Sequence, residues 1–227
     1  MGKLYGVSVG AGDPELMTIK SVRIIAETPV IAVPETSGKS LALSIAEKII
    51  DFSDKNIIYF NFPMCRDKKT LAENYDRISE KICYELAKND VAMLSIGDIS
   101  IYSTFSYIAE RVIEKGFNVE VCAGVPSFCA VTARVIRPLV LNSESLHIMP
   151  YNRENIEKCD FSDGTYVIMK CGKNAPELME ILNKKGLTDK AFAVENCGLT
   201  NEHIYINLQD INNFGYFTVF IIKNNYE

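Results

Sequence analysis

The chain has 227 residues, 48% of them hydrophobic and 23% charged, with a formal net charge of −5. That is an ordinary globular composition, long enough for one large domain or two small ones at roughly 100–200 residues each, and its acidity argues against nucleic acid as the main partner, which needs a basic stripe. No apolar run reaches the ~20 residues that span a bilayer, and Met1-Gly2-Lys3-Leu4-Tyr5 leads straight into a strand-like pattern with no signal-peptide core, so the expectation is a soluble cytoplasmic protein with no membrane partner.

In chain order, residues 3–9 alternate as a strand and break at Gly10-Ala11-Gly12-Asp13-Pro14. A helix is expected from about Glu15, with Leu16, Ile19, Val22 and Ile25 at helical spacing. Asp13 suits its N-cap and Pro14 its first position. Residues 30–33 read as a short strand ending at Pro34, 40–50 as a helix and 57–60 as a strand. Residues 71–87 form a long amphipathic helix pattern. Residues 91–96 are a nearly continuous apolar strand, of the kind buried on both faces of a parallel sheet, and they run into Gly97. A helix over 103–115 stops at Gly116, and 119–122 is a further strand.

The strand–helix alternation predicts an α/β fold with a mainly parallel sheet. In the second half, 126–135 reads as a helix, 144–149 as a strand and 152–164 as polar and irregular. Strands are expected over 166–170, 191–195, 202–207 and 217–223, with a helix over 176–185 and a turn around Asn212-Asn213. Fewer helices between strands suggest a second α/β domain with a mixed sheet. The expected division is 1–118 and 119–227.

The seven cysteines are odd in number and none has C-x-x-C spacing, so neither a disulfide framework nor a zinc site is expected. Small buried hydrophobes in a reducing compartment are the better reading. With only His147 and His203, a histidine-built metal site has little material, and no protein-bound metal is expected.

Two loops stand out because both fall at strand carboxyl ends, where open α/β sheets bind ligands. Gly10-Ala11-Gly12 is an incomplete dinucleotide fingerprint, since Glu15 stands where the third glycine belongs; alone it is a tight turn. Gly97-Asp98-Ile99-Ser100-Ile101-Tyr102-Ser103-Thr104 is more informative. Gly97 lets the backbone turn with no side chain in the way, Asp98 is an acceptor-only carboxylate, and Ser103 or Thr104 suits a helix cap. A capped helix with a solvated aspartate remains the bland alternative.

Four segments carry a resemblance: Phe62-Pro63-Met64-Cys65-Arg66-Asp67, residues 94–105 around the Gly97 loop, Gly124-Val125-Pro126-Ser127-Phe128, and Ala133-Arg134-Val135-Ile136-Arg137-Pro138-Leu139. Together they resemble the precorrin-2 C20-methyltransferase family of cobalamin biosynthesis, a branch of the tetrapyrrole methylases, with Tyr102-Ser103-Thr104-Phe105 pointing to this branch. The chain departs from the family pattern at Ala11, Ile99 and Ala123, where proline is usual.

The resemblance implies a homodimer of two-domain α/β subunits, with S-adenosylmethionine folded in a cleft between the domains. Carried over by position, its contacts are Ala11, Gly97, Asp98, Ile99, Tyr102, Ser127, Phe128 and Lys170, with Glu195, Asn196 and Gly198 on a later loop. The substrate is a tetrapyrrole, precorrin-2 or its cobalt form, so any cobalt belongs to the substrate. Asp98 is the candidate catalytic residue, as proton acceptor or sulfonium partner, with a purely structural role as the rival. The substrate's carboxylates call for local cations, and Arg66, Lys68, Lys69, Arg134 and Arg137 are the candidates; a solvated surface charge is the alternative for each. Two other functions fit less well: a sibling methylase acting at another corrinoid position, and a non-catalytic S-adenosylmethionine sensor or interaction module.

Overall fold

The computed structural model describes residues 1–35, 38–63, 65, 67–208 and 214–223. The chain divides into two compact units, Met1–Pro126 and Ser127–Glu227. The first carries β1 (Lys3–Ser8), β2 (Val30–Glu35), β3 (Asn56–Asn61), β4 (Val91–Ser95) and β5 (Asn118–Cys122), with helices α1 (Ile19–Glu27), α2 (Leu41–Ala46), α3 (Lys68–Leu86) and α4 (Phe105–Glu114) between them. Its five strands lie in the order β3-β2-β4-β1-β5, and every pairing is parallel. Parallel pairing forces each connection to cross the sheet, and the crossovers are what cover its faces. β4 is accordingly buried over its first four residues. One face packs Ile78, Ile82 and Leu86 of α3 and Phe105, Ile108 and Val112 of α4 against Leu4, Val91 and Met93.

Two expectations change here. The single helix from Glu15 is instead a 3-10 turn, Pro14–Leu16, followed by α1. Asp13 accepts the Glu15 N–H (2.9 Å) and Thr18 Oγ accepts the Ser21 N–H (3.1 Å), so two side-chain caps five positions apart split one periodic pattern in two. Ile19, expected on the apolar face, is 89% exposed. The division between units also shifts. β5 pairs with β1 from Lys3↔Asn118 to Val7↔Cys122, which makes it an edge strand of the first sheet, and the boundary follows it.

The second unit carries α5 (Ser127–Arg134), β6 (Leu146–Pro150), α6 (Arg153–Lys158), β7 (Thr165–Met169), α7 (Ala175–Lys184), β8 (Ala191–Glu195), β9 (His203–Tyr205) and β10 (Thr218–Lys223). Its sheet runs β6-β7-β10-β8-β9. β6 and β7 are parallel, and the remaining pairs are antiparallel, giving a mixed sheet. β10 is buried along its whole length, as a central strand must be. Phe161, Leu178, Leu182 and Phe220 build the core beside it. The polar stretch 152–164 hides α6, in which Asn152 caps the Asn155 N–H (3.1 Å) and only Ile156 is buried. One buried residue in two turns leaves no apolar period to read. The expected turn at Asn212-Asn213 lies outside the described residues.

Candidate functional site at the strand ends

The first unit's site is built where β4, β1 and β5 finish side by side. β1 ends at Ser8 and β4 at Ser95, which are register partners. Beyond them the backbones stay joined. The Val9 N–H donates to Ser95 O (2.9 Å) and the Gly97 N–H to Gly10 O (2.7 Å). Gly10 and Gly97 both take left-handed φ, +73° and +72°, which a side chain tolerates poorly. A Cβ on Gly10 would also stand 2.9 Å from Leu16 O. The two glycine loops noted in the sequence are thus one paired structure.

Asp98 ties that structure to the end of β5. Its Oδ2 accepts the Gly124 N–H (2.6 Å) and its Oδ1 accepts the Ser100 N–H (2.8 Å) and the Ser100 hydroxyl. From β1, the Ser8 Oγ accepts the Ile99 N–H (2.9 Å). Gly124 sits so close that a Cβ would fall 2.3 Å from Ser8 Cβ and 2.7 Å from Gly97 O. Three loop starts therefore meet with no room for a methyl group. Burial pushes the Asp98 carboxyl up, but the Ser100 hydroxyl and the Gly124 and Ser100 N–H groups outweigh it, and the carboxyl is held below the usual carboxylate range.

The neighbouring expected residues divide by what they expose. Tyr102 takes φ 50° and leaves 41% of its surface open. Ser103 Oγ accepts the Phe105 N–H (3.2 Å) and so caps α4, while Thr104 makes no side-chain cap. Ala11 is buried. Ile99 is 1% exposed and packs in the core with Met93, Phe105 and Ile108. Its side chain anchors the loop, and its N–H is committed to Ser8. A cofactor contact at this position is therefore left to the Ile99 backbone carbonyl rather than to the side chain.

In the second unit, β7 and β8 flank β10 and both run antiparallel to it, so they end at the same edge. Each is followed by a left-handed residue, Lys170 at φ 58° and Asn196 at φ 51°. Among the described residues only six non-glycines have positive φ, and Tyr102, Lys170 and Asn196 are three of them. Such backbone strain persists where the surroundings impose it, and it gathers at ligand sites. Burial pulls the Lys170 ammonium below its usual range.

Glu195 closes β8. Its Oε2 accepts the Tyr205 hydroxyl (2.9 Å), its Oε1 accepts the Asn196 amide (3.4 Å), and a Cβ on Gly215 would come within 2.0 Å of that Oε1. Burial and the Glu195 carboxylate push the Tyr205 phenol up to about 12. Gly198 donates its N–H to Glu202 Oε2 (2.7 Å), whose Oε1 accepts Arg134 Nε (2.7 Å). Ser127 and Phe128 open α5, with Phe128 buried.

The expected cationic residues are placed as follows. Arg66 lies outside the described residues. Lys68 opens α3 and is exposed. Lys69 stands 4.0 Å from Glu73. Arg134 is engaged by Glu202, and the Arg137 guanidinium lies 5.2 Å from the Phe192 ring centroid. Both arginines thus have a partner within the second unit, and the Arg134 side chain stays 56% exposed. The sequence reading did not find the Ser8, Ser100, Gly124 and Glu202 contacts. Only Ser100 carries a local signal, two residues after an aspartate as in an Asx-turn.

The family model described as Tetrapyrrole (Corrin/Porphyrin) Methylases matches residues 3–212. The chain belongs to the tetrapyrrole methylase family. It is 33% identical to the probable cobalt-precorrin-2 C(20)-methyltransferase of Methanocaldococcus jannaschii, an alignment that covers 97% of this chain and 96% of that one. It is 25% identical to the cobalt-precorrin-2 C(20)-methyltransferase of Salmonella typhimurium, covering 100% and 98%. Two solved structures share the fold. The methyltransferase CobJ matches with a TM-score of 0.74 at 13% identity over 99% of this chain and 95% of that one. The uroporphyrin-III C-methyl transferase of Thermus thermophilus, complexed with S-adenyl homocysteine, matches with 0.70 at 18% identity over 98% and 92%. The two-sheet α/β architecture of this tetrapyrrole methylase is the one those enzymes have.

Within the methylase, the Arg134–Glu202–Gly198 chain yields a graded prediction. Arg134→Gln removes a half-exposed ion pair and is expected to cost under about 1 kcal/mol. Glu202→Ala also strands the Gly198 N–H and is expected to cost roughly 1–3 kcal/mol. Thermal melts of both variants check the order; equal losses would contradict it.

Proposed function

We propose that this tetrapyrrole methylase transfers the methyl group of S-adenosylmethionine to C20 of cobalt-precorrin-2 or precorrin-2, in cobalamin biosynthesis. Supporting this reading most directly is identity of 33% and 25%, over nearly the full length, to proteins bearing that name. The Tyr102-Ser103-Thr104-Phe105 segment and the left-handed backbone at Tyr102, Lys170 and Asn196 add to it. Any cobalt is carried by the substrate, and the working form is a cytoplasmic homodimer.

The donor supplies an already activated methyl on a sulfonium. What is left to the protein is positioning, which can supply roughly 7–11 kcal/mol in a well-aligned transfer. In the first unit the contacts proposed for the donor are Ala11, Tyr102 and the backbone of Gly97, Asp98 and Ile99. In the second unit they are Ser127, Phe128, Lys170, Glu195, Asn196 and Gly198. The donor fits such a set, because strand ends stripped of side chains offer backbone donors and acceptors to its polar groups. Asp98 acts here as a positioning residue. Both its oxygens already accept hydrogen bonds, from Gly124 and Ser100, and a carboxyl held below its ordinary range is a weaker base.

Parallel assays with cobalt-precorrin-2 and metal-free precorrin-2, read by product mass, test the reading. One added methyl on at least one of them is expected. No transfer to either, with transfer to a later corrinoid intermediate, would reassign the chain to a sibling reaction.

A further inference from the structure

Resting on that reading, we propose that a cleft beside β3, headed by Arg77, receives a peripheral carboxylate of the tetrapyrrole. The cleft has a volume of about 480 Å³ and is lined by Asn61, Pro63, Thr70, Glu73, Asn74 and Arg77. Asn61 is the last residue of β3. Thr70, Glu73, Asn74 and Arg77 follow the i, i+3, i+4, i+7 rule and form one stripe of α3. The opposite stripe, Tyr75, Ile78 and Ile82, is in the core, so the core fixes which residues α3 turns to the cleft.

The chemistry of the stripe suits an anion. With its amide oriented by its neighbours, Asn74 donates to Asn61 O (3.3 Å) and accepts from Arg77 Nη2 (2.9 Å). The guanidinium is thereby held by a neutral partner that leaves its charge uncompensated. The cleft's carboxylate, Glu73, reaches toward Lys69 at 4.0 Å, and among the described residues no carboxylate pairs with Arg77. A guanidinium held in place with donors to spare is the group that binds a carboxylate in fork geometry.

The location agrees. Ala32 of β2 is level with Ile58 of β3 and with Met93 of β4, so β3, ending at Asn61, and β4, ending at Ser95, finish within one residue of each other. They are two strand spacings apart, about 10 Å. The cleft and the Gly97–Asp98 loop therefore lie on one ligand-binding edge, separated by a span that a macrocycle with carboxylate arms can bridge. The alternative is a solvated arginine on a helix face, which would bind nothing.

Arg77→Glu, Arg77→Lys and a charge-matched control, Lys184→Glu, separate the two. The probe is uroporphyrin, a stable polycarboxylate porphyrin, titrated by fluorescence quenching. Alongside it run the KM and kcat for cobalt-precorrin-2 and calorimetric affinity for S-adenosylmethionine. Arg77→Glu is expected to raise the porphyrin Kd and the KM about tenfold, the loss of one charge-assisted contact. The kcat and S-adenosylmethionine affinity should be unchanged, Arg77→Lys intermediate, and Lys184→Glu like wild type. A porphyrin Kd unchanged in Arg77→Glu, or raised equally by Lys184→Glu, overturns the assignment even where turnover is intact. If wild type transfers no methyl but Arg77→Glu alone still loses porphyrin, the cleft stands and the proposed reaction falls.

Discussion

Asp98→Asn is expected to lose roughly 2–3 kcal/mol of stability, about 4–12 °C in Tm, and to bind S-adenosylmethionine more than about tenfold more weakly. The carboxylate accepts from Gly124 on one oxygen and from Ser100 on the other. An amide of the same shape must turn its NH2 toward one of those N–H donors. Turned toward Gly124, the NH2 breaks the bond between the loops after β4 and β5; turned toward Ser100, it breaks the turn that shapes the Asp98 loop, so either way one bond becomes a donor–donor contact. The effect should fade in acid. The native carboxyl is depressed below its unfolded value of 3.8, so its contribution is complete above that pH and is lost as pH falls through the native value. Melting curves of wild type and variant should converge below about pH 4. A base role predicts something else: turnover lost with donor affinity and Tm intact. Near-normal turnover in the variant would exclude that role outright.

Gly124→Ala is expected to be comparably damaging for a different reason. The added Cβ would lie 2.3 Å from Ser8 Cβ and 2.7 Å from Gly97 O, and neither is the free end of a flexible side chain. Either the loop after β5 retreats, losing the Asp98 bond, or Gly97 moves. Overpacking of this kind costs about 1–3 kcal/mol, and the displaced group is the loop proposed to bind the donor, so affinity for S-adenosylmethionine should fall with stability. Gly116→Ala is the contrast. A Cβ there meets nothing within 4 Å, but φ is +84°, so it should cost roughly 1–2 kcal/mol of backbone strain and leave donor affinity alone. Calorimetric Kd and Tm for both variants decide the matter; donor affinity unchanged in Gly124→Ala would mean that the convergence is not part of the site.

The long periodic elements were legible in the sequence because their burial is regular. The pattern over 71–87 gave α3, and the apolar run over 91–96 gave β4. What escaped was decided by single side chains. Thr18 caps a second helix start inside one apolar period, and α6 buries one residue. The division between units was misplaced because β5 carries no mark of its partner; only its pairing with β1 assigns it. At the site, the glycines and Asp98 could be named from the chain, but not what Asp98 holds, since Gly124 is distant in sequence. Nor could the chain alone show that the Ile99 side chain, where proline is usual, packs into the core. The partners that Arg134 and Arg137 have within the second unit, Glu202 and Phe192, lie too far along the chain for spacing to reveal.

Turnover with an isotopically labelled methyl group on S-adenosylmethionine, followed by location of the label in the isolated tetrapyrrole by NMR, tests the proposed reaction most directly. A single label is expected, on the methyl group attached to the meso carbon C20. A labelled methyl on any other ring carbon, or a donor that binds and is never consumed with precorrin-2 or its cobalt form, would contradict it.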